Sequence, residues 1–336
     1  MHVKNTEYLI DFDEDYLNLE DYQSSMPRWC SGCGDNAILT AVQKLCRDEQ
    51  LPPEKTVFVS GIGCSSRFPH YMKTYGFHGL HGRALPIAQG VKIRRPDLHV
   101  FVNMGDGDCC SIGTAHWIHA IRYNMNMVVI VHDNEVYGLT KKQASPTSPM
   151  GMKTNTTPYG VYLQPLKMLS TTLGVSNVSF VANAVEWIPQ SLNDIIREAF
   201  FHKGFSFIRV LQRCPAYLPK LFDPYLTDPN SILLLNHENG IQVSPELSRI
   251  YKNQHEHDPS DIHKAREIAE QDEKIPVGIL YRNGNLPCYG ELRQPQRRYT
   301  SEERRAALEK EFNKFAINPI SPEVLQGEDN NGRASN

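Results

Sequence analysis

The stretch "MGDGDCCSIGTAHWIHAIRYNMNMVVIVHDNEVYGLT" at residues 104–140 decides the fold, because it joins two apolar strands through a helix. Asp106, between two glycines, follows the first apolar run, and Asn134 ends the second. Residues 111–123 between them have the pattern of a crossover helix. A right-handed crossover brings the carboxyl ends of neighbouring parallel strands to the same edge of a sheet. The stretch therefore predicts a carboxylate and an amide side by side at one sheet edge.

Apolar runs alternate with helical patterns on both sides of this stretch. The predicted strands cover residues 56–60, 99–105, 127–134, 177–182 and 205–212, and the predicted helices follow Asp35 and cover 111–123 and roughly 185–202. Such short β-branched runs suit strands that helices cover on both faces. The alternation predicts an α/β fold with a doubly wound, mostly parallel sheet. Asp35, at the start of its helical pattern, is interpreted as a helix cap.

Composition narrows the class of protein. The chain has 336 residues and a formal net charge of −3, which gives no reason to expect nucleic acid or an anionic membrane as a partner. We find no signal peptide and no apolar run long enough for a membrane span, so a cytoplasmic protein is expected. In such a chain the eight cysteines are better explained as metal ligands and buried thiols than as disulfides.

The pattern changes along the chain and predicts three regions. Residues 1–26 form an N-terminal arm, residues 27–216 form the α/β domain, and residues 217–336 form a C-terminal extension that wraps the core or a partner. The extension holds scattered elements, and its polar tail is predicted to be disordered. These elements are a helix near 261–271, a strand at 277–281 and a helix near 301–315.

The predicted sheet edge suits a diphosphate and a magnesium ion. Asp106 and Asn134 supply two oxygen ligands, and a backbone carbonyl with diphosphate oxygens would complete an octahedron. The glycines beside Asp106 let the backbone approach a phosphate, and the helix start after Asp108 adds amide donors. The alternative is a Gly-Asp-Gly turn without any ligand. The motif with Asn134 resembles the thiamine diphosphate signature, which implies that Asp106, Asn134 and the main chain of Val136 hold the metal.

The cysteines pose a separate question. Cys30 and Cys33 lie in "RWCSGCGD", while Cys64 and Cys214 each follow a predicted strand, so all four can meet at one edge. A thioredoxin-like dithiol is disfavoured, because no strand precedes Cys30. The spacing leaves zinc and an iron–sulfur cluster open. The thiamine diphosphate site favours a cluster, because thiamine chemistry makes an electron-rich species that a cluster can oxidise in single-electron steps.

Four further cysteines take no part in this set. Cys46 lies on the apolar side of its helix and is interpreted as a buried thiol. No role is assigned to Cys109, Cys110 or Cys288.

With both features present, the chain resembles the β subunit of 2-oxoacid:ferredoxin oxidoreductases over roughly residues 26–216. The motifs are "RWCSGCGD", "SGIGCSSRFP", "YGFHGLHGRALPIAQGVK", "GDGD" and "YGLTKKQASPTS", and "IPVGILYRNGNLPCYGE" is similar to the family's C-terminal region. The resemblance implies one [4Fe–4S] cluster held by Cys30, Cys33, Cys64 and Cys214. It also implies a cofactor site formed by Gly61, Ile62, Gly63, Cys64, His81, Gly82, Gly105, Asp106, Gly107, Asp108, Asn134, Val136, Gly138, Leu139 and Thr140.

The loop "FHGLHGRA" supplies the candidate catalytic residues His78, His81 and Arg83. These three residues either contact the diphosphate or the 2-oxoacid, or form a polar loop with a structural role. Lys141, after Thr140, either donates to the diphosphate or stays solvated.

The resemblance implies a function that this chain cannot perform alone. Thiamine enzymes need a glutamate on a pyrimidine-binding domain, and the sequence has no second α/β domain of adequate length. We therefore expect an α subunit, in an α2β2 assembly, and coenzyme A-dependent oxidative decarboxylation of a 2-oxoacid with ferredoxin as the electron acceptor. The 65–84 loop resembles that of 2-oxoglutarate-specific enzymes, and pyruvate is the alternative substrate. The sequence also leaves open a non-redox thiamine diphosphate decarboxylase with structural zinc, and a non-catalytic electron-transfer or scaffold subunit.

Overall fold

The structure is a computed structural model that describes residues 16–238, 240–293 and 299–316. The predicted disordered tail, and the arm before residue 16, lie outside the described residues. The strands are β1 (Thr56–Ser60), β2 (Tyr75–His78), β3 (His99–Gly105), β4 (Met127–Asp133), β5 (Val136–Tyr137), β6 (Gln143–Ala144), β7 (Phe180–Val185), β8 (Phe205–Leu211), β9 (Ile232–Asn236), β10 (Gln254–Glu256) and β11 (Ile275–Arg282). The helices are α1 (Asp35–Asp48), α2 (Ala84–Arg94), α3 (Thr114–Tyr123), α4 (Met168–Leu173), α5 (Pro189–Phe201), α6 (Asp223–Thr227), α7 (Pro245–Ile250), α8 (Ile262–Glu270), α9 (Tyr289–Arg293) and α10 (Ser301–Asn313).

Nine strands form one sheet in the order β10-β9-β11-β7-β8-β4-β3-β1-β2, while β5 and β6 form a separate hairpin. The six strands from β7 to β2 in this order pair in parallel. Every residue of β1 and β4 is buried, as expected for strands covered on both faces. These features confirm the predicted α/β fold with a mostly parallel sheet.

Helices cover both faces of the sheet and divide the core in two. On one face α1 and α5 pack through apolar residues such as Val42 and Ile195. On the other face α2, α3 and α8 pack through residues such as Leu85, Trp117 and Ile268. This double layer fixes the carboxyl ends of β1, β3, β4 and β8, where the predicted site residues lie.

The C-terminal extension contributes three strands to the same sheet, although the sequence predicted only the one at 277–281 and did not predict its pairing. β11 pairs antiparallel with β7, for example at Gly278 and Asn183, and then pairs in parallel with β9. β9 pairs in parallel with β10. The residues through Leu292 therefore form one compact unit, and a second unit begins at Arg293.

The described part of the second unit contains α10, whose first turn is capped by Thr300. The Thr300 hydroxyl accepts from the Glu303 N–H at 3.1 Å, and the Glu303 carboxylate accepts from the Thr300 N–H at 2.9 Å. This is a capping box, and it sets where the helix begins. In the described chain, no helix is both long and apolar enough to cross a bilayer.

Candidate active site

A cavity of about 170 Å³ lies at the carboxyl edge of β1, β3 and β4. The structure brings most of the predicted cofactor residues together around it: Ile62, Gly63, Cys64, His81, Gly105, Asp106, Gly107, Asp108, Asn134, Val136, Gly138, Leu139 and Thr140. Four lining residues were not predicted, namely Ser65, His132, Tyr137 and Gln212. The predicted residues Gly61 and Gly82 lie behind this lining, against Asp108. The convergence gives the cavity the position of a ligand site in a parallel sheet.

Asp106 is buried in the cavity wall, and within the described part of the chain no basic side chain forms an ion pair with it. Its Oδ2 accepts a hydrogen bond from the Thr147 hydroxyl at 2.7 Å. Burial is the main cause that raises the pKa of Asp106, and the nearby charge of Asp133 adds to it. Asp133 in turn accepts from Arg209 Nε at 2.7 Å. A divalent cation beside Asp106 would remove this penalty, so the carboxylate fits the predicted magnesium site.

The other predicted magnesium ligands lie in the turn after β4. Asn134 is buried, and its Oδ1 accepts from the Val136 N–H at 3.1 Å. Among the residues that the structure describes, no group of three or more histidine, cysteine or acidic side chains is arranged to hold a metal ion. The predicted magnesium ligands are instead the carboxylate of Asp106, which follows β3, and the amide of Asn134 and the main-chain carbonyl of Val136, which follow β4.

Asp108 joins two loops that border the cavity. Its Oδ1 lies 2.7 Å from His81 Nδ1 and accepts from the Gly82 N–H at 2.6 Å and the Ile62 N–H at 3.3 Å. A Cβ on Gly61 would lie 2.1 Å from Asp108 Oδ2, so this close approach requires glycine. Asp108 therefore holds both loops in place, and the bond to Nδ1 orients the ring of His81.

Replacing Asp108 by alanine should lower the free energy of unfolding by about 3 kcal/mol, because buried donors lose a charged acceptor. Gly61→Ala should also destabilise the protein, since its methyl group would collide with the Asp108 carboxylate. In the Asp108→Ala background Gly61→Ala should be nearly neutral. Urea unfolding of the two single variants and the double variant measures this coupling. Additive effects would contradict the close approach.

The three candidate catalytic residues have different environments. His81 lines the cavity. His78 Nδ1 lies 2.8 Å from the Ser66 carbonyl, and the Arg83 guanidinium donates to the Ile112 carbonyl at 2.9 Å. Neither His78 nor Arg83 is among the described residues that line the cavity, and His78 Nδ1 also lies 3.1 Å from the Ser60 hydroxyl at the end of β1.

Gly34 brings the first cysteine pair to the end of β8. A Cβ on Gly34 would lie 2.8 Å from both Gln212 Cβ and Glu186 Cγ, so a larger residue does not fit. The Gly34 N–H donates to the Arg213 carbonyl at 3.1 Å. This contact places the loop of Cys33 next to the residues that follow β8.

The four predicted cluster cysteines are free thiols, and among the described residues no three of them are arranged to hold a metal ion. The Sγ atoms of Cys64 and Cys214 lie 3.5 Å and 3.9 Å from the point that a Cβ on Gly138 would occupy. Burial is the main cause that raises the pKa of Cys33, Cys64 and Cys214, and a neighbouring cysteine adds to each shift. For Cys64 the pKa rises to about 11. Burial thus favours the protonated form of Cys33, Cys64 and Cys214, and a metal would displace their protons.

Comparisons with known proteins agree with this geometry. Residues 61–210 match the model of the thiamine pyrophosphate enzyme C-terminal TPP-binding domain, and residues 247–298 match that of the C-terminal part of the pyruvate ferredoxin oxidoreductase β chain. The chain is 38% identical to a 2-oxoacid:ferredoxin oxidoreductase subunit β of Saccharolobus solfataricus, over 78% of this chain and 83% of that protein. This chain belongs to the β subunits of 2-oxoacid:ferredoxin oxidoreductases.

Two further relatives extend the comparison. The 2-oxoglutarate oxidoreductase subunit KorB of Mycobacterium tuberculosis is 45% identical over 58% of this chain, and the match spans 52% of that protein. The solved 2-oxoglutarate:ferredoxin oxidoreductase from Magnetococcus marinus, with 2-oxoglutarate, coenzyme A and succinyl-CoA bound, has a TM-score of 0.72 and 31% identity. That match covers 94% of this chain and 97% of that one. The resemblance drawn from the motifs is thus confirmed.

The predicted role of Asp35 in this β subunit is wrong. Gly34 occupies the N-cap position, and the Asp35 side chain makes no capping bond. Its Oδ1 lies 2.7 Å from His132 Nδ1, and both side chains are fully buried. One signal in the sequence could have revealed this pair: a histidine interrupts the apolar run of β4, and a buried polar group needs a partner.

Proposed function

We propose that this chain is the β subunit of an enzyme that converts 2-oxoglutarate and coenzyme A to succinyl-CoA and carbon dioxide. Two electrons leave the substrate and pass singly to ferredoxin, and the reaction is reversible in principle. The observation that carries the proposal is the place of Cys64, which lines the cofactor cavity and is also close enough to Cys214 and Cys30 for both to raise the pKa of its thiol. A redox centre and the thiamine site would then share one wall.

Three cofactors are part of the proposal. Mg²⁺ would be held by Asp106, Asn134 and the main chain of Val136, with the diphosphate of thiamine diphosphate completing its ligands. One [4Fe–4S] cluster would be held by Cys30, Cys33, Cys64 and Cys214. Bound thiamine diphosphate supplies the carbon chemistry of decarboxylation, and the cluster supplies single-electron transfer.

The residues of this chain bind and orient these groups. Asp108 fixes the loops at Ile62 and Gly82, so their backbone stays close to the cavity. The Tyr137 ring fills the space beside Gly107, where a Cβ would lie 2.2 Å from the ring, and its hydroxyl donates to the Gly107 carbonyl at 3.2 Å. These contacts keep the diphosphate-facing turn in one conformation before the cofactor binds.

The substrate, the assembly and the location follow from the family and from the chain itself. Relatives named for 2-oxoglutarate support that substrate over pyruvate. A relative named as a β subunit supports an α subunit as the partner, and we propose an α2β2 assembly. All eight cysteines are free, which supports a reducing cytoplasm.

The test compares this chain alone with the complex co-expressed with its α subunit under anaerobic conditions. Because the isolated chain lacks the activating carboxylate that the α subunit would supply, its activity should be at least about 100-fold lower than that of the complex. The complex should reduce ferredoxin or a viologen dye when both 2-oxoglutarate and coenzyme A are present. Parallel assays with pyruvate determine the substrate.

Each competing function predicts a different result. Faster dye reduction with pyruvate than with 2-oxoglutarate would show that pyruvate is the substrate. Carbon dioxide release without dye reduction would indicate a non-redox decarboxylase, and neither reaction would indicate a scaffold subunit.

A further inference from the structure

The sequence "SPTS" at residues 145–148 forms a tight turn next to Asp106, and none of its residues is a proposed ligand. The Ser148 N–H donates to the Ser145 carbonyl at 3.2 Å, which closes a β-turn with Pro146 at its second position. Proline fixes its own φ and is favoured at this position. The Ser148 hydroxyl also accepts from the Ser145 N–H at 2.8 Å. This segment, the hydroxyl turn, therefore holds its side chains in fixed directions.

The three hydroxyl groups of the hydroxyl turn are buried together. Ser145, Thr147 and Ser148 are 7%, 3% and 1% exposed. The Ser145 hydroxyl lies 3.2 Å from the Thr147 hydroxyl and 3.3 Å from the Ser148 hydroxyl. Buried polar groups reduce stability unless they find hydrogen-bond partners. The partners outside the turn therefore show what this group of hydroxyls holds in place.

Thr147 joins Asp106 to the end of the neighbouring strand β4. Its hydroxyl donates to Asp106 Oδ2 at 2.7 Å and lies 3.0 Å from Asp133 Oδ1. Asp133 is itself fixed, because its Oδ2 accepts from Arg209 Nε at 2.7 Å. The contact with Thr147 thus restricts the rotation of the Asp106 carboxylate and ties it to an anchored residue.

Ser148 supports the turn that carries the other two proposed magnesium ligands. Its hydroxyl donates to the Glu135 carbonyl at 2.6 Å. Glu135 lies between Asn134 and Val136, and its φ of +59° is in the left-handed region, which disfavours residues with a side chain. Such a conformation persists only where the surrounding structure holds it. The bond from Ser148 supports it and so keeps Asn134 and Val136 at the cavity lining.

We propose that Thr147 and Ser148 are positioning residues that set the spacing of the magnesium ligands and thereby favour Mg²⁺ over larger divalent cations. The inference rests on the proposed function, since it requires a metal held by Asp106, Asn134 and Val136. Mg²⁺ needs near-octahedral ligands at about 2.0–2.1 Å, whereas Ca²⁺ accepts flexible geometry at about 2.3–2.6 Å. Ligands held by one rigid turn suit the smaller ion, and loosened ligands should penalise Mg²⁺ more than Ca²⁺.

The test is a calorimetric titration of thiamine diphosphate into the complete α–β complex after removal of metal and cofactor. Mg²⁺ or Ca²⁺ is the only divalent cation in each experiment. Thr147→Val keeps the shape of the side chain but lacks the hydroxyl. In Mg²⁺ its cofactor affinity should fall by about 10- to 100-fold, the usual effect of losing a group that orients a metal ligand. The loss in Ca²⁺ should be smaller, and Ser148→Ala should show the same pattern.

Two variants serve as controls. Thr147→Ser keeps a hydroxyl and should retain the wild-type ratio of the affinities in Mg²⁺ and Ca²⁺. Thr172→Val makes the same change as Thr147→Val at another buried site, where the hydroxyl donates to the Met168 carbonyl within α4. It should leave both affinities unchanged. Circular dichroism shows whether each variant is folded.

A greater loss in Mg²⁺ than in Ca²⁺ for Thr147→Val and Ser148→Ala, with the ratio retained in Thr147→Ser, supports the inference. An equal or greater loss in Ca²⁺, no loss in Mg²⁺, or a changed ratio in Thr147→Ser overturns it and leaves the proposed function intact. If Thr147→Val does not fold, Ser148→Ala decides by the same criterion. Equally tight binding of thiamine diphosphate to the wild-type complex without any divalent cation would overturn the magnesium site and this inference together.

Discussion

Asp106→Asn should abolish the binding of magnesium and thiamine diphosphate together, with a loss of affinity of about 100-fold or more. Replacing residues that only support metal ligands already costs 10- to 100-fold in affinity, and Asp106 is proposed as a direct ligand. Asparagine keeps the shape of the side chain but lacks the charge that would balance the cation. Calorimetric titration of thiamine diphosphate in the presence of Mg²⁺ measures the change. Asp97→Asn, on the surface, is the control.

The same variant should not be less stable than the wild type when metal is absent. In the folded protein the pKa of Asp106 rises from 3.8 to about 7, mainly through burial and then through Asp133. The folded state therefore disfavours the ionised form, and the stability of the metal-free protein falls as the pH rises through this range. Asp106→Asn should remove this loss of stability at higher pH. Thermal unfolding of the metal-free variant and wild type at pH 8 measures the difference.

The calorimetric titration has its own contradicting outcome. Unchanged cofactor affinity in a folded Asp106→Asn variant would reject the magnesium site.

Cys64→Ser should abolish the iron–sulfur cluster while the fold remains. A serine at this position removes one of four thiolates, and its hydroxyl does not ionise at neutral pH. Anaerobically purified wild-type protein should be brown and should contain iron and sulfide, and the variant should be colourless. Cys46→Ser is the matched control, because Cys46 is fully buried in α1 away from the cavity lining.

Two results would contradict the assignment of the four thiols. Stoichiometric zinc in colourless wild-type protein would show that the four thiols bind a structural zinc ion and not an iron–sulfur cluster. Full iron content in Cys64→Ser would remove Cys64 from the ligand set. A separate Cys214→Ser variant tests the fourth ligand. An intact cluster in that variant would make Cys109 or Cys110 the next candidate for the fourth ligand.

The sequence predicted those parts of the site that local patterns determine. The strands at Thr56–Ser60 and His99–Gly105 have the predicted bounds, because their apolar runs are short and clearly limited. Asp106 and Asn134 follow directly from the ends of two such strands. Their position at one edge is a consequence of parallel pairing and needs no knowledge of side-chain contacts.

Contacts between segments that lie far apart along the chain could not be predicted from the sequence. Thr147 donates to Asp106 from a loop whose path depends on the packing around it. Asp35 lies 2.7 Å from His132, which is far along the chain, and its place at a helix start favoured a simpler explanation. The extension was also hard to predict, because β9 and β11 are separated by polar segments and their sheet neighbours follow from tertiary packing.

The antiparallel pairing of β11 with β7 means that the protein cannot be shortened at the sequence boundary near residue 216. A fragment ending there would lose the partner that occupies one side of β7. Its unpaired N–H and C=O groups would form an open edge, which is a template for aggregation. The region that matches the pyruvate ferredoxin oxidoreductase model includes all of β11, since it spans residues 247–298. Any division of this chain, for fusion or for minimal expression, therefore has to keep everything through β11.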